Sequence, residues 1–166
     1  MKYWLTRFLM AVTTITALPI NAQDFTLYLV RHAEKQQAQS NPSLTECGLF
    51  RANQLAQILS FEKFQHVYST QYKRTRETAT PLATAQNLPI KYYAPNALEQ
   101  FAFQLKKQQA NALIVGHSNT TPMLVNLLAE TNLAKLSEDE FSMLYQIQFI
   151  GEQVKLTLLK QPLVCR

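Results

Sequence analysis

Glycine is scarce in this chain, with three in 166 residues. That excludes collagen-like and glycine-rich low-complexity architectures, and it leaves no glycine-rich loop of the kind that cradles phosphates. Cysteine is scarcer still: Cys47 and Cys165 are the two present. They are too few for a disulfide-dense scaffold, and their spacing fits no zinc motif. There is no arginine-rich run and no basic stripe interleaved with aromatics, so nothing points to a nucleic-acid partner. No acidic magnesium site, internal repeat or Pro/Gly/Ser-rich linker is visible. What remains is 47% hydrophobic and 16% charged, ordinary globular material long enough for one domain with its own core.

A long uncharged apolar run occurs at the start. Lys2 and Arg7 flank a basic beginning, and Phe8 to Ile20 follow as an apolar stretch. A small residue, Ala22, precedes a plausible cut before Gln23. This layout predicts a secretory signal peptide over residues 1–22 and a mature domain over 23–166. The stretch is short for a bilayer span, so no stable membrane span is expected after cleavage; an uncleaved anchor is the competing reading. The mature chain is expected to be exported, to the periplasm. Loss of Lys2 and Arg7 takes 16 basic residues to 14 against 11 acidic ones, a net charge of +3. That suits an anionic ligand. In an exported protein Cys47 and Cys165 can pair or stay reduced, and their separation in sequence does not decide which. Oligomeric state is not encoded legibly.

Hydrophobic periodicity alternates between strand and helix. Strands are expected at Phe25–Val30, His66–Ser69, Ile90–Tyr93 and Ala112–Gly116. Helices are expected after an N-cap at Thr45, over Tyr72–Gln86, Ala97–Gln108 and Thr121–Ala129. Two last strands, Leu144–Phe149 and Val154–Leu159, flank Gly151 as a hairpin. The pattern predicts a single-domain α/β three-layer sandwich: a mostly parallel sheet, helices on both faces, and an antiparallel C-terminal hairpin at its edge. The aromatics Tyr28, Phe61, Tyr68, Phe141 and Phe149 are expected in the core.

Two of the apolar strands end alike. The first delivers Arg31 and His32; the fourth delivers His117, Ser118 and Asn119. The second ends in Ser69-Thr70 and leads into Lys73, Arg74 and Arg76. In open α/β sheets, chemistry collects at the carboxyl ends of strands. Arginine pairs bidentately with phosphate and keeps its charge. A histidine between arginines is biased toward its neutral, nucleophilic form, and imidazole can carry a phosphoryl group covalently. A second histidine can stabilise charge in the transition state. His66 begins a strand beside no other motif and reads as structural. Ser118 lacks the Gly-x-Ser-x-Gly context of a nucleophile, because Thr120 holds the last position.

Leu29-Val30-Arg31-His32-Ala33-Glu34-Lys35 resembles the opening motif of the histidine phosphatase superfamily, also called phosphoglycerate mutase-like. Tyr68 to Ala79 resembles its second motif and Val115-Gly116-His117-Ser118-Asn119 its third. The three blocks stand in the family's order from Leu27 to about Leu128. The resemblance implies that His32 is the phosphorylated nucleophile, that Arg31 and Arg74 bind phosphate, and that His117 completes the pocket with Ser118 and Asn119. It favours Arg74 over Arg76, which lies about 200° around the helix. Ala33 stands where glycine is commonest, a small departure. The general acid is less well marked: Glu99, at the start of the third predicted helix, and Glu34 are the two candidates.

The resemblance implies a metal-independent, cofactor-free phosphomonoester hydrolase acting through phosphohistidine. Its expected partner is a small phosphorylated substrate, and an envelope saccharide phosphate would suit the compartment. Two alternatives stand: a phosphohistidine or phosphoprotein phosphatase, and a binding module that holds a phosphorylated ligand without turnover.

Overall fold

The computed structural model describes residues 23–37 and 40–162. The predicted signal peptide and Cys165 lie outside the described residues. The elements run β1 (Phe25–Arg31), α1 (Glu46–Ile58), β2 (His66–Ser69), α2 (Lys73–Ala85), β3 (Ile90–Tyr92), α3 (Leu98–Gln108), β4 (Ala112–Gly116), α4 (Thr120–Ala129), β5 (Met143–Ile150) and β6 (Gln153–Lys160). They form one six-stranded sheet in the order β3-β2-β4-β1-β5-β6. The pairs β3–β2, β2–β4 and β4–β1 are parallel, while β1–β5 and β5–β6 are antiparallel. The expected elements therefore stand, shifted by a residue or so at their ends. The hairpin turns at Gly151, whose φ of 56° is a left-handed conformation that glycine adopts without strain.

Strand periodicity sorts the core into two layers. Leu27, Leu29, Ala112 and Ile114 face α3 and α4, packing with Phe101, Leu105, Leu124 and Leu128. Their neighbours Tyr28, Val30, Leu113 and Val115 face the other way, onto Leu55 and Leu59 of the α1 region and Ala79 and Leu82 of α2. Both central strands are thus apolar on both faces, as buried parallel strands must be. Two aromatics correct the sequence reading. Phe61 is 97% exposed in the turn after α1. Phe141 is only part-buried, and it sits beside Arg31 and His32 rather than in the core.

The segment after β1 is fixed from two sides. The Ala33 N–H donates to Thr78 Oγ1 at 2.9 Å, and that hydroxyl donates to the Arg74 carbonyl at 2.7 Å. From the other side, Thr45 caps α1 by accepting from the Gly48 N–H at 3.0 Å. Arg51 of α1 reaches back to both carboxylate oxygens of Glu34, at 2.6 to 3.0 Å. This close approach needs Gly48, because a Cβ there would collide with the Glu34 carbonyl oxygen. We expect Gly48→Ala to lose about 1–3 kcal/mol of stability through overpacking, read as a lower urea midpoint. An unchanged midpoint would show that the segment yields freely.

Candidate active site

Strand register decides where the histidines emerge. Arg31 of β1 is paired with Gly116 of β4, and the His32 N–H donates to the Gly116 carbonyl at 2.9 Å. His32 and His117 therefore leave the sheet at the same level on adjacent strands, and their ring centroids are 5.6 Å apart. Ser69-Thr70, at the end of β2, stands on the far side of β4. A cavity of about 400 Å³ opens at this carboxyl edge, and Arg31, His32, Arg74, His117, Ser118 and Asn119 all line it. Every phosphate-binding residue proposed from the sequence is thus in one place. Arg76 is exposed on α2 and does not line the cavity.

Hydrogen bonds fix how each ring presents itself. His32 Nδ1 lies 2.8 Å from the Ala33 carbonyl, so Nδ1 carries the hydrogen and Nε2 keeps its lone pair. Thr75 directs its hydroxyl hydrogen to the carbonyls of Thr70 and Tyr72. Thr70 Oγ1 must then donate to Thr75 Oγ1, at 2.9 Å, and accept from His117 Nε2 at 3.0 Å. His117 Nδ1 accordingly faces Arg74, whose Nη2 is 3.4 Å away. The buried threonines of the second motif are thus the means by which α2 orients both histidine-bearing segments.

The local field favours an anion. Burial, and then the nearby Arg31, Arg74 and His117, push His32 down to about 3 despite the Ala33 hydrogen bond. Burial, Arg74 and Arg31 push His117 down to about 4. Burial also pulls Arg31 and Arg74 below the ordinary arginine value. The Nε groups of both arginines are buried without a hydrogen-bond partner among the described residues. Neither α2 nor α4 is capped by its own N-cap side chain; the Lys73 N–H at the start of α2 goes to Asn41 Oδ1, and the Thr121 N–H of α4 to the His117 carbonyl. Arg74 stacks over the Tyr72 ring at 4.5 Å, and Arg31 over the Phe141 ring at 4.1 Å. Lys35 adds a third cation to the lining.

The two acid candidates are not brought into the cavity. Glu99 is exposed in the first turn of α3, where a carboxylate complements the helix dipole; Pro95 and Asn96, just before it, line the cavity instead. Both oxygens of Glu34 are engaged by Arg51. The carboxylate at the mouth is Glu138, which sequence reasoning missed. It is 84% exposed, reaches Arg31 Nη2 at 3.3 Å, and accepts from Ser118 Oγ at 3.4 Å. Its loop also holds Arg31 through the Ser137 and Glu140 carbonyls, at 2.8 and 3.0 Å. The sequence points to Ser137–Phe141 as a segment that sets specificity, but no motif in it marks Glu138 as the carboxylate at the mouth.

Comparison with known proteins agrees with this arrangement. Residues 27–103 match the model of the histidine phosphatase superfamily, branch 1. Over this segment the chain is similar to the histidine phosphatase superfamily. A phosphoserine phosphatase 1 from Hydrogenobacter thermophilus is 42% identical over 71 residues, covering 39% of this chain and 34% of that relative. The chain thus matches about a third of that enzyme's length. Among solved structures, the alpha-ribazole phosphatase from Shigella flexneri superposes with a TM-score of 0.68 at 17% identity, covering 82% of this chain and 96% of that one. The protein histidine phosphatase SixA, complexed with tungstate, gives 0.65 at 13% identity over 81% and 96%. A mycobacterial glucosyl-3-phosphoglycerate phosphatase gives 0.64 at 13% over 83% and 98%. These superfamily neighbours share the sheet and its two helical layers. His117 lies beyond the matched residues, and its place beside His32 rests on the geometry.

Two outcomes follow from the charges. Both histidines titrate below their ordinary 6.5 when folded, so the unfolded chain takes up protons first as pH falls. Their effect on stability is absent above pH 6.5, and stability then declines from there toward pH 4 and 3. Urea unfolding of His32→Asn should show a shallower decline over that window; equal slopes would contradict the burial argument. Glu138 competes with an incoming anion for Arg31. Glu138→Gln should bind inorganic phosphate roughly three- to tenfold tighter by calorimetric titration. Unchanged affinity would mean the side chain swings clear at no cost.

Proposed function

We propose that this protein is a phosphomonoester hydrolase that works through a phosphohistidine on His32. The observation that carries the reading is the orientation of His32: a neutral ring, its Nδ1 spent on Ala33 and its Nε2 lone pair free, set among Arg31, Arg74 and His117. The phosphatase names of the relative and of the structural neighbours support it.

The proposed reaction has two displacements. Nε2 of His32 attacks phosphorus while the ester P–O bond breaks, and the leaving alkoxide takes a proton from solvent, which the attacking water of the second step gives back. Water then attacks phosphorus, the N–P bond breaks, and phosphate departs as His32 returns to its neutral state. Arg31 and Arg74, which line the cavity, hold the equatorial oxygens. A phosphate dianion beside His117 favours a proton on its Nδ1, which then donates to a third oxygen. Ser118 and Asn119, at the start of α4, add polar groups to the same wall. Fixed positive charge at the developing negative charge is the main electrostatic contribution. Arg31, Arg74 and Lys35 supply the positive charge in the proposed reaction, which is written without a metal ion.

The leader-like residues 1–22 support export to the periplasm. Cys47, which is disulfide-bonded, supports an oxidising compartment. An envelope saccharide phosphate would fit both.

The mature chain should hydrolyse an aryl phosphate in excess chelator, and His32→Ala should lose at least about 10³-fold in kcat/KM. Acid-labile phosphate should be trapped on the wild-type chain and not on the variant. Equal turnover by both proteins would remove His32 from the nucleophile's role.

A further inference from the structure

A second cavity, of about 520 Å³, adjoins the first. Tyr72 and Pro95 line both, so the two are neighbours across these side chains. Its other walls include Tyr92 and Tyr93, with the amides of Asn41 and Gln71 at hand; among the described residues no charged side chain lines it. His32 does not reach it. Tyr72 meets the phosphate cavity edge-on, with its ring 5.1 Å from that of His117.

These walls differ in rigidity. Tyr93 is buried, stacks on Phe101 with centroids 4.4 Å apart, and donates its hydroxyl to the Val115 carbonyl at 3.2 Å. It forms a fixed floor. Tyr92, by contrast, is 51% exposed at the end of β3. Asn41 is oriented because its Oδ1 accepts from the Lys73 N–H at 2.9 Å, which leaves its amide hydrogens for another partner. A further cavity, lined by Glu34, Lys35, Glu138 and Asp139 together with Gln37 and Phe141, is mostly charged and offers a different chemistry.

We propose that the Tyr72–Tyr92 cavity is the leaving-group subsite, and that it takes a neutral ring bearing the phosphate, either a cyclic sugar or an aryl ring. The inference rests on the phosphatase reading and narrows its substrate class. In an in-line displacement the leaving oxygen lies opposite the attacking nitrogen, hence on the side away from His32. Tyr72, which lines the phosphate cavity with His32, also lines the neighbouring cavity that His32 does not, so that cavity is the room next to the phosphate for a leaving group. Aromatic walls stack on flat apolar faces, and amides satisfy ring hydroxyls. An acyclic, doubly charged group such as that of phosphoserine would find no ion-pair partner on these walls.

The test is binding, which needs no turnover. The mature chain is titrated calorimetrically with methylphosphonate, phenylphosphonate and a pyranosyl methylphosphonate. At least one ring ligand should bind about tenfold or more tighter than methylphosphonate. Tyr92→Ala should bring that ratio to within about twofold of one, and Tyr92→Phe should retain it. A tighter pyranosyl arm identifies a sugar source; a tighter phenyl arm identifies an aryl one. Equal affinities in the wild-type chain, or a ratio that Tyr92→Ala leaves intact, would overturn the subsite. An enzyme that shows the ring preference but hydrolyses no ester would instead refute the phosphatase reading alone. Failure to bind any phosphonate would overturn both.

Discussion

The pairing of Arg31 with Gly116 is the constraint on which the site depends. It places two histidines from distant parts of the chain side by side, and every later feature is arranged around that fact. A slip of one residue between β1 and β4 would turn one strand over relative to the other, sending His32 or His117 to the wrong level and Leu29 or Ile114 into the opposite core layer. The register is therefore defended by the same alternation that builds the two helical layers. Gly116 contributes again by lacking a side chain. A Cβ there would press on the hydroxyls of Tyr93 and Thr121, at 2.8 and 2.7 Å.

Once the histidines are adjacent, the electrostatics are nearly determined. Guanidinium groups gathered at a buried sheet edge would repel imidazolium, so both rings stay neutral and their hydrogens are assigned by neighbouring oxygens. The Thr75–Thr70–His117 relay and the Thr78–Ala33 bond explain why the second motif needs hydroxyls at those spacings: one orients a ring, the other orients the strand exit that carries the nucleophile. At this edge the buried polar atoms without a partner among the described residues, Nε of Arg31 and of Arg74, are donors, which suits an oxyanion.

Much of this was legible in the sequence. Apolar strands followed at once by Arg-His or His-Ser-Asn state both the fold and the place of the chemistry, because period and punctuation are local signals. Arg74 rather than Arg76 was readable from helical geometry together with the family's arginine. What was not legible depended on contacts distant in sequence. Glu138 and Phe141 come to Arg31 on a loop over 100 residues away, with no periodicity to announce it. Phe61 misled because an apolar side chain just past a helix end need not face the core. Glu99 was the one carboxylate between the second and third motifs, yet its position in α3 turns it to solvent while its neighbours line the cavity.

The anchoring of Arg31 carries a consequence for how the protein comes to exist. Its guanidinium is held by carbonyls of Ser137 and Glu140, on the loop that leads into β5, and β5 in turn pairs with β1. The anion pocket therefore cannot be assembled by the first half of the chain, although that half contains the nucleophile and both arginines. Closing it requires the longest-range strand pairing in the molecule, which is entropically the most demanding contact to make. Competence to bind an anion should thus arrive late in folding, as a mark that the whole sheet has closed.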